Sequence, residues 1–328
     1  DTHIHGYAGV DVMDNNIEGT LHTMSEGLLS TGVTSFLPTT LTATYEQLLA
    51  VTENLGNHYK EATGAKIRGI YYEGPYFTET FKGAQNPTYM RDPGVEEFHS
   101  WQDAAKGMLN KIAIAPEREG VEDFVRTVTG EGVTVALGHS NATFDEAKKA
   151  VDAGASVWVH AYNGMRGLTH RELGMVGAMY ELPHTYAELI CDGHHVDPKA
   201  CDILLKQKGT ENIALSTDCM TAGGLEDGDY MLGEFPVVVE NGTARLKSTG
   251  NLAGSILKLK DGLKNVVEWG IANPHEAVMM ASLNPAKSVH IDDVCGQIRE
   301  GYDADFIVLD KDLELVATYL DGVKRYQA

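Results

Sequence analysis

Short apolar, β-branched runs alternate with longer amphipathic stretches along most of this chain. The runs predict strands at Thr34–Leu41, Ile67–Tyr72, Lys111–Ala115, Thr134–Leu137, Ser156–Val159, Ala187–Cys191 and Ile213–Ser216. The stretches between them predict helices at Ile17–Ser30, Tyr45–Tyr59, Val121–Thr129, Thr143–Ala153 and Pro198–Lys208. Several helices close on a glycine turn, as at Thr31-Gly32-Val33 and Ala153-Gly154-Ala155. A βαβα order of this kind implies a parallel sheet covered by helices. Counting the His3–His5 segment as a further strand end gives eight, so the expected α/β fold is a closed (β/α)8 TIM barrel.

The rhythm changes after Asp218. Met231–Leu246 reads as a β-hairpin turning at Asn241-Gly242, a strong turn dipeptide. Helices are predicted at Ala253–Trp269 and Pro274–Ser282. The tail is again β, with runs Asp305–Leu309, Leu315–Leu320 and Val323–Tyr326 around an Asp321-Gly322 turn. Residues 1–290 are therefore assigned to the barrel, with 231–246 inserted. Residues 291–328 are assigned to a small β-sandwich domain that is incomplete as written, because isolated hairpins are marginal. The sequence opens on a strand end with no Met, so a preceding segment is expected to supply the rest.

Composition narrows the function classes. Over 328 residues, 26 Lys and Arg stand against 47 Asp and Glu, for a formal charge of −21. That field repels nucleic acid and anionic membranes, so neither is an expected partner. A small anionic substrate remains compatible, because a local Arg/His cluster can outweigh the global field. Cys191, Cys201, Cys219 and Cys295 are scattered without a CxxC pair, which fits reduced thiols in a cytoplasmic protein. No apolar run reaches the length of a membrane span.

Catalytic groups of such barrels sit at the C-terminal strand ends. The residues found there are His3-Ile4-His5, Glu73-Gly74-Pro75, Gly138-His139-Ser140, His160 and Thr217-Asp218. Residues i and i+2 of a strand point the same way, so His3 and His5 can face one ion. Imidazole with carboxylate suits Zn²⁺, or Fe²⁺ and its neighbours, better than Ca²⁺ or Mg²⁺, and the lack of cysteine favours an open catalytic site. A lone strand-end His is more often a hydrogen-bonded core or surface residue than a ligand. The recurrence at one end of successive strands is what unrelated core histidines do not explain. His22, His58, His99, His184, His275 and His290 fall on presumed helices or loops. Glu117 reads as an exposed loop acid. Asp218 is the candidate general base, since a metal lowers the pKa of water and a nearby carboxylate can take its proton. A purely liganding Asp218 is the alternative. Arg171, with Asn163 and His194 or His195, can hold a phosphate, or Arg171 can pair with Glu172 on the surface.

These motifs resemble those of the N-acetylglucosamine-6-phosphate deacetylase family within the amidohydrolase superfamily. The resemblance runs through Asp1–Gly6, Glu73-Gly74-Pro75, Lys82–Pro87, Gly138–Ala142, His170-Arg171-Glu172, Asp192–Val196, Thr217-Asp218, Leu252–Ser255 and Asn284-Pro285-Ala286. It implies that Glu73, His139 and His160 form the principal metal site. His3 and His5 correspond to a second metal position, which some members fill and others have lost. Asp218 corresponds to the catalytic base and acid, and it is counted with the ligands. Ala84, Asn163, Gly164, Arg171, His195, Leu252, Ala253 and Gly254 correspond to contacts with the sugar phosphate or its acetyl group. One or two divalent ions per subunit are implied, with Zn²⁺ expected and Fe, Mn or Co as alternatives. A homodimer is implied, with phosphate contacts across the interface. The chain departs from the family at Tyr162-Asn163-Gly164-Met165, where Phe-Asn-Ala-Met is usual, and at Leu173, where Pro is usual.

The implied reaction is deacetylation of N-acetyl-D-glucosamine 6-phosphate to D-glucosamine 6-phosphate and acetate. The galactosamine epimer is the near rival. A cyclic-amide hydrolase would bridge two metals with a carboxylated lysine, but Lys111 starts its strand and Glu73 offers the bridging carboxylate. A non-catalytic sugar-phosphate sensor would need neither a ligand set nor Asp218.

Overall fold

The computed structural model describes residues 1–14 and 17–328. Seven apolar runs become the parallel strands of one sheet: β1 (Thr39–Thr40), β2 (Ile70–Tyr76), β3 (Leu109–Ile114), β4 (Thr134–Leu137), β5 (Val157–Trp158), β6 (Tyr186–Leu189) and β7 (Ile213–Leu215), hydrogen-bonded in chain order. The His3–His5 segment closes the ring. Ile4 bridges in parallel to Pro38 on one side and to Cys219 on the other. Thr39 N–H donates to the Ile4 carbonyl (2.9 Å), and His5 N–H donates to the Cys219 carbonyl (2.8 Å). The sheet thus curls into the eight-staved barrel that the strand count predicts.

The first stave is much shorter than its apolar run. Pro38, which has no N–H to give a ladder, divides Thr34–Leu41. Ser35–Phe36 pairs with Lys66–Ile67 in a separate two-residue ladder, and only Thr39–Thr40 joins the main sheet. Side chains alternate between the two faces of each strand. Tyr72, Ile112, Ile114, Val135 and Leu137 pack outward under the helices. Tyr71, Ala113, Ala136 and Val157 fill the barrel.

The covering helices are α1 (Ile17–Leu28), α2 (Tyr45–His58), α3 (Val95–Ala104), α4 (Val121–Gly130), α5 (Phe144–Ala153), α6 (Gly174–Glu181), α7 (Pro198–Lys208), α8 (Leu259–Glu268), α9 (Pro274–Ala281) and α10 (Leu283–Ser288). Capping boxes set the starts of α2 (Thr44 with Gln47), α5 (Thr143 with Glu146) and α9 (Asn273 with Glu276). Three unpredicted helices, α3, α6 and the six-residue α10, lack such signals. The N-cap of α3 is Gly94, which makes no side-chain cap. In α6, Gly174–Met179 are all buried, so no amphipathic period marks it. The predicted helix Ala253–Trp269 begins only at Leu259. The residues before it run beside the last barrel stave instead, with Ser255 N–H bonded to the Asp218 carbonyl (2.7 Å) and Cys219 bridging Ser255.

The expected hairpin at 231–246 is a three-stranded antiparallel sheet: β8 (Gly228–Leu232), β9 (Phe235–Glu240) and β10 (Thr243–Leu246). The Asn241-Gly242 turn has φ of 51° and 77°, the left-handed backbone that a tight hairpin requires. Leu232, Val237, Val239, Ala244 and Leu246 pack on Leu41, Met220 and Ala253, which anchors this sheet beside the barrel mouth. Among the described residues the C-terminal β region is one antiparallel sheet, in keeping with the small, incomplete β-domain expected there: β11 (Phe306–Leu309), β12 (Leu315–Leu320) and β13 (Val323–Gln327). Thr318 Oγ1 ties it to the Leu29 carbonyl (2.8 Å), and Lys66 gathers Asp303, Asp305 and Asp321 around its ammonium. Among the described residues no helix is long and apolar enough to cross a membrane.

Candidate active site

Six side chains converge where the staves end. His3 and His5 come from the closing segment and Glu73 from β2. His139, His160 and Asp218 follow β4, β5 and β7. The last three leave their strands with φ of 45°, 29° and 50°. Such backbone is strained for a residue with a Cβ, and strain of this kind concentrates at functional sites. All six are buried.

Glu73 is the hub. Its Oε1 lies 3.1 Å from His160 Nε2, 3.2 Å from His139 Nε2 and 3.4 Å from His3 Nε2. Its Oε2 lies 3.3 Å from His5 Nε2. Asp218 Oδ1 is 3.1 Å from His5 Nε2 and 3.4 Å from His3 Nε2. Two groups share Glu73: His3, His5 and Glu73, and Glu73, His139 and His160.

The rings are turned so that their Nε2 atoms meet one another and the carboxylates. His139 Nδ1 donates to the Phe81 carbonyl (2.9 Å), and His5 Nδ1 donates to the Thr39 carbonyl (3.1 Å). In the neutral rings Nε2 then carries a lone pair. Yet His139 Nε2 lies 3.0 Å from His160 Nε2, and His3 Nε2 lies 3.3 Å from His5 Nε2. Ring nitrogens brought so close, beside a carboxylate, share either a proton or a cation. Ligand atoms about 2.0–2.1 Å from a tetrahedral ion lie about 3.3 Å apart, so the spacing suits a small divalent metal. Burial alone would raise Glu73. The imidazoles of His3, His139, His160 and His5 around it outweigh that burial and hold the carboxyl well below its usual range. Burial likewise opposes Asp218, but His3 and His5 keep it below the ordinary value.

A second layer holds these groups. Gln85 Nε2 donates to Glu73 Oε2 (2.5 Å), and its Oε1 accepts from Thr42 N–H (2.7 Å). Glu188 Oε2 lies 3.3 Å from His3 Nδ1. The other Glu188 oxygen takes the Lys111 ammonium and Thr2 Oγ1. Burial opposes ionisation of Glu188, but Lys111 and His3 bring its pKa down to about 2. Glu117 is not a free loop acid, for it accepts from Ser140 Oγ and Asn141 N–H (both 2.7 Å) and so braces the turn after His139. His160 Nδ1 is buried with no partner among the described residues. Sequence reasoning gave no role to Gln85 or Glu188. Gln85 is marked only by standing in the Lys82–Pro87 motif, and Glu188 only as a polar side chain on the barrel-facing side of an apolar strand.

A cavity of about 470 Å³ opens over the cluster. Of the residues expected to contact substrate, Ala84, Asn163, Gly164, His195, Leu252 and Gly254 line it. Ala253 is buried behind the wall, packed on the hairpin sheet. Arg171 is exposed and outside the lining. It also lacks the Glu172 pairing, because Glu172 accepts from the backbone of Phe144 and Gly174. His195 Nδ1 bonds Asp192 Oδ2 (2.6 Å), and Asp192 also takes the N–H groups of His194 and His195. Arg245, not singled out from sequence, lines the cavity with Nη1 on the Gly250 carbonyl (3.0 Å). His22, His58, His99, His184, His275 and His290 lie outside the metal-ligand groups.

Residues 1–325 match the model of the Amidohydrolase family. The chain belongs to the amidohydrolase family. It is 41% identical to the N-acetylglucosamine-6-phosphate deacetylase of Vibrio furnissii, over 98% of this chain and 80% of that protein. It is 40% identical to the N-acetylgalactosamine-6-phosphate deacetylase of Escherichia coli O157:H7, over 98% and 85%. Among solved structures, a mutant N-acetyl-D-glucosamine-6-phosphate deacetylase of Mycobacterium smegmatis, in complex with N-acetyl-D-glucosamine-6-phosphate, superposes with a TM-score of 0.94. That pair shares 32% identity over 99% of this amidohydrolase and 85% of the other chain.

One glycine of the wall tests how tightly Asp218 is held. Gly254 has φ of 60°, and a Cβ there would stand 3.0 Å from the Asp218 carbonyl oxygen and 3.3 Å from Met220 Cβ. In Gly254→Ala the added methyl must displace the strand end, at a cost of about 1–3 kcal/mol. The expected result is a kcat lowered about tenfold or more with bound metal unchanged. An unaltered kcat would show that the turn has slack.

Proposed function

We infer that this amidohydrolase removes the acetyl group of N-acetyl-D-glucosamine 6-phosphate, giving D-glucosamine 6-phosphate and acetate in amino-sugar catabolism. The observation that carries the chemistry is the meeting of Glu73, His139 and His160 acceptor atoms within 3.0–3.2 Å of one another, with Asp218 in the same cavity. Substrate choice rests on the relatives, which match over nearly the whole chain.

Glu73, His139 and His160 would hold one divalent cation, and His3 and His5 with Glu73 a second. Such an ion polarises an amide carbonyl and acidifies water at the site. Zn²⁺ suits the imidazole and carboxylate donors, with Fe, Mn and Co as alternatives. Asp218, ionised at neutral pH, takes the proton of the attacking water and returns it to the departing nitrogen, so the amine leaves neutral. Asp192 occupies Nδ1 of His195 and leaves Nε2 for a substrate oxygen. Asn163, Gly164, Ala84 and the Leu252–Gly254 turn would frame the sugar and acetyl group. Arg171 fits a phosphate contact reached from a second subunit, so a homodimer is part of this reading; size-exclusion chromatography with light scattering checks it, and a monomer at working concentration removes that role. The free thiols of Cys191, Cys201, Cys219 and Cys295 suit a cytoplasmic setting.

The galactosamine epimer is the second reading, favoured by the 40% identical relative that bears that name. A deacetylation assay on both 6-phosphates, with metal measured on the same sample, decides between them. The glucosamine epimer is expected to have a kcat/KM at least about tenfold higher. The reverse order exchanges the two readings. Hydrolysis of neither, with metal bound, removes both.

A further inference from the structure

The interior beneath the ligand cluster holds an ion pair that the chemistry above does not use. Lys111 on β3 and Glu188 on β6 are both fully buried, and their charged groups are in direct contact. The barrel filling around it includes Tyr71, Ala113, Ala136 and Val157. The Lys111 ammonium also sits 3.7 Å over the Tyr71 ring. A buried ion pair is poor evidence of stabilisation, because well-packed apolar residues of similar volume do as well or better. Its geometry suggests another use. Lys111 and Thr2 Oγ1 (3.0 Å) hold one oxygen of Glu188, which aims the other at His3 Nδ1, 3.3 Å away.

We propose that Glu188, fixed by Lys111 and Thr2, is a positioning residue that makes the His3/His5 position a competent second metal site. The inference rests on the metal-dependent reading above. By accepting the Nδ1 proton, Glu188 points the Nε2 lone pair of His3 at Glu73, His5 and Asp218. The four imidazoles are not treated alike. His5 and His139 are oriented by backbone carbonyls, and His160 Nδ1 has no partner among the described residues. Of the four, His3 alone is given a carboxylate. A carboxylate behind an imidazole fixes its tautomer and ring orientation toward a metal, and removal of such a partner typically weakens binding about 10–100-fold. His3 belongs to the group with His5 and Glu73 and not to the group with His139 and His160, so the effect falls on one position.

The test is metal stoichiometry and affinity, read by elemental analysis and by competition with a chromophoric chelator using Zn²⁺. The wild-type protein is expected to bind two ions. Glu188→Gln should weaken the second about 10–100-fold and leave the first unchanged. Because Gln would strand the Lys111 charge, the double variant Lys111→Met, Glu188→Leu removes both charges together. It should fold, with a melting transition near that of the metal-depleted wild type, and bind a single ion. A folded double variant that keeps both ions at wild-type affinity overturns the proposal, as does equal weakening of both ions. A wild type that takes up one ion at saturating Zn²⁺ while deacetylating its substrate also overturns it and leaves the functional reading standing. A wild type that binds no ion removes that reading as well.

Discussion

Asp218→Asn is expected to keep its metal and lose about 10²–10⁴-fold in kcat, the usual contribution of a positioned general base. Asparagine keeps the shape of the side chain and an oxygen that can face His5, 3.1 Å from Asp218 Oδ1 in the wild type. It cannot accept a proton from water or deliver one to the leaving nitrogen. Because His3 and His5 outweigh burial and hold the Asp218 carboxyl below its ordinary value, the wild-type group is ionised throughout the neutral range. The deficit should therefore persist at neutral and mildly alkaline pH, where a base that merely titrated differently would recover. KM should change little. A kcat within about threefold of wild type would remove Asp218 from the proton path. Loss of metal along with turnover would instead make it a ligand whose catalytic share cannot be separated this way.

The features visible in the sequence were those with a local signature. The barrel follows from the alternation of apolar runs with helices, and even its closure was implied by counting the His3–His5 segment. The six converging residues were visible because each stands at a strand end, and a barrel gathers strand ends at one mouth. What escaped depends on register around the ring. Glu188 and Lys111 lie on strands far apart in sequence, and nothing local tells that their side chains meet inside the barrel. Gln85 was visible as part of a motif, but its bond to Glu73 is set by how a loop folds back over β2. The end of the Ala253–Trp269 prediction was sound and its start was not. Helix propensity there loses to the bonds that Ser255 makes with Asp218 and Thr217. Helix α6 was missed for the opposite reason, since burial on every side erases the amphipathic period. Arg171 shows a further limit: a charged residue in a motif gives no local sign that it stands exposed outside this chain's cavity lining.

Glu73→Gln should have the largest effect, because one carboxylate serves both ligand groups. Its Oε1 faces three imidazoles and its Oε2 a fourth. The amide is isosteric, yet it brings N–H donors toward Nε2 lone pairs and removes the negative charge that a cation requires. Retained metal is expected to fall below about a tenth of an ion per chain, with turnover lost about 10⁴-fold or more, since polarisation and water activation go together. Stability supplies a second readout. A metal at about 100 times its Kd adds about 2.7 kcal/mol to a fold that binds it, so added Zn²⁺ should raise the melting temperature of the wild type and leave that of Glu73→Gln unchanged. The contrast with Asp218→Asn carries the weight here. If both variants keep metal, Glu73 is not the bridge between the two groups. If neither does, Asp218 is part of the cage. Only the split outcome, with metal kept in one and lost in the other, separates the group that holds the ion from the group that moves the proton.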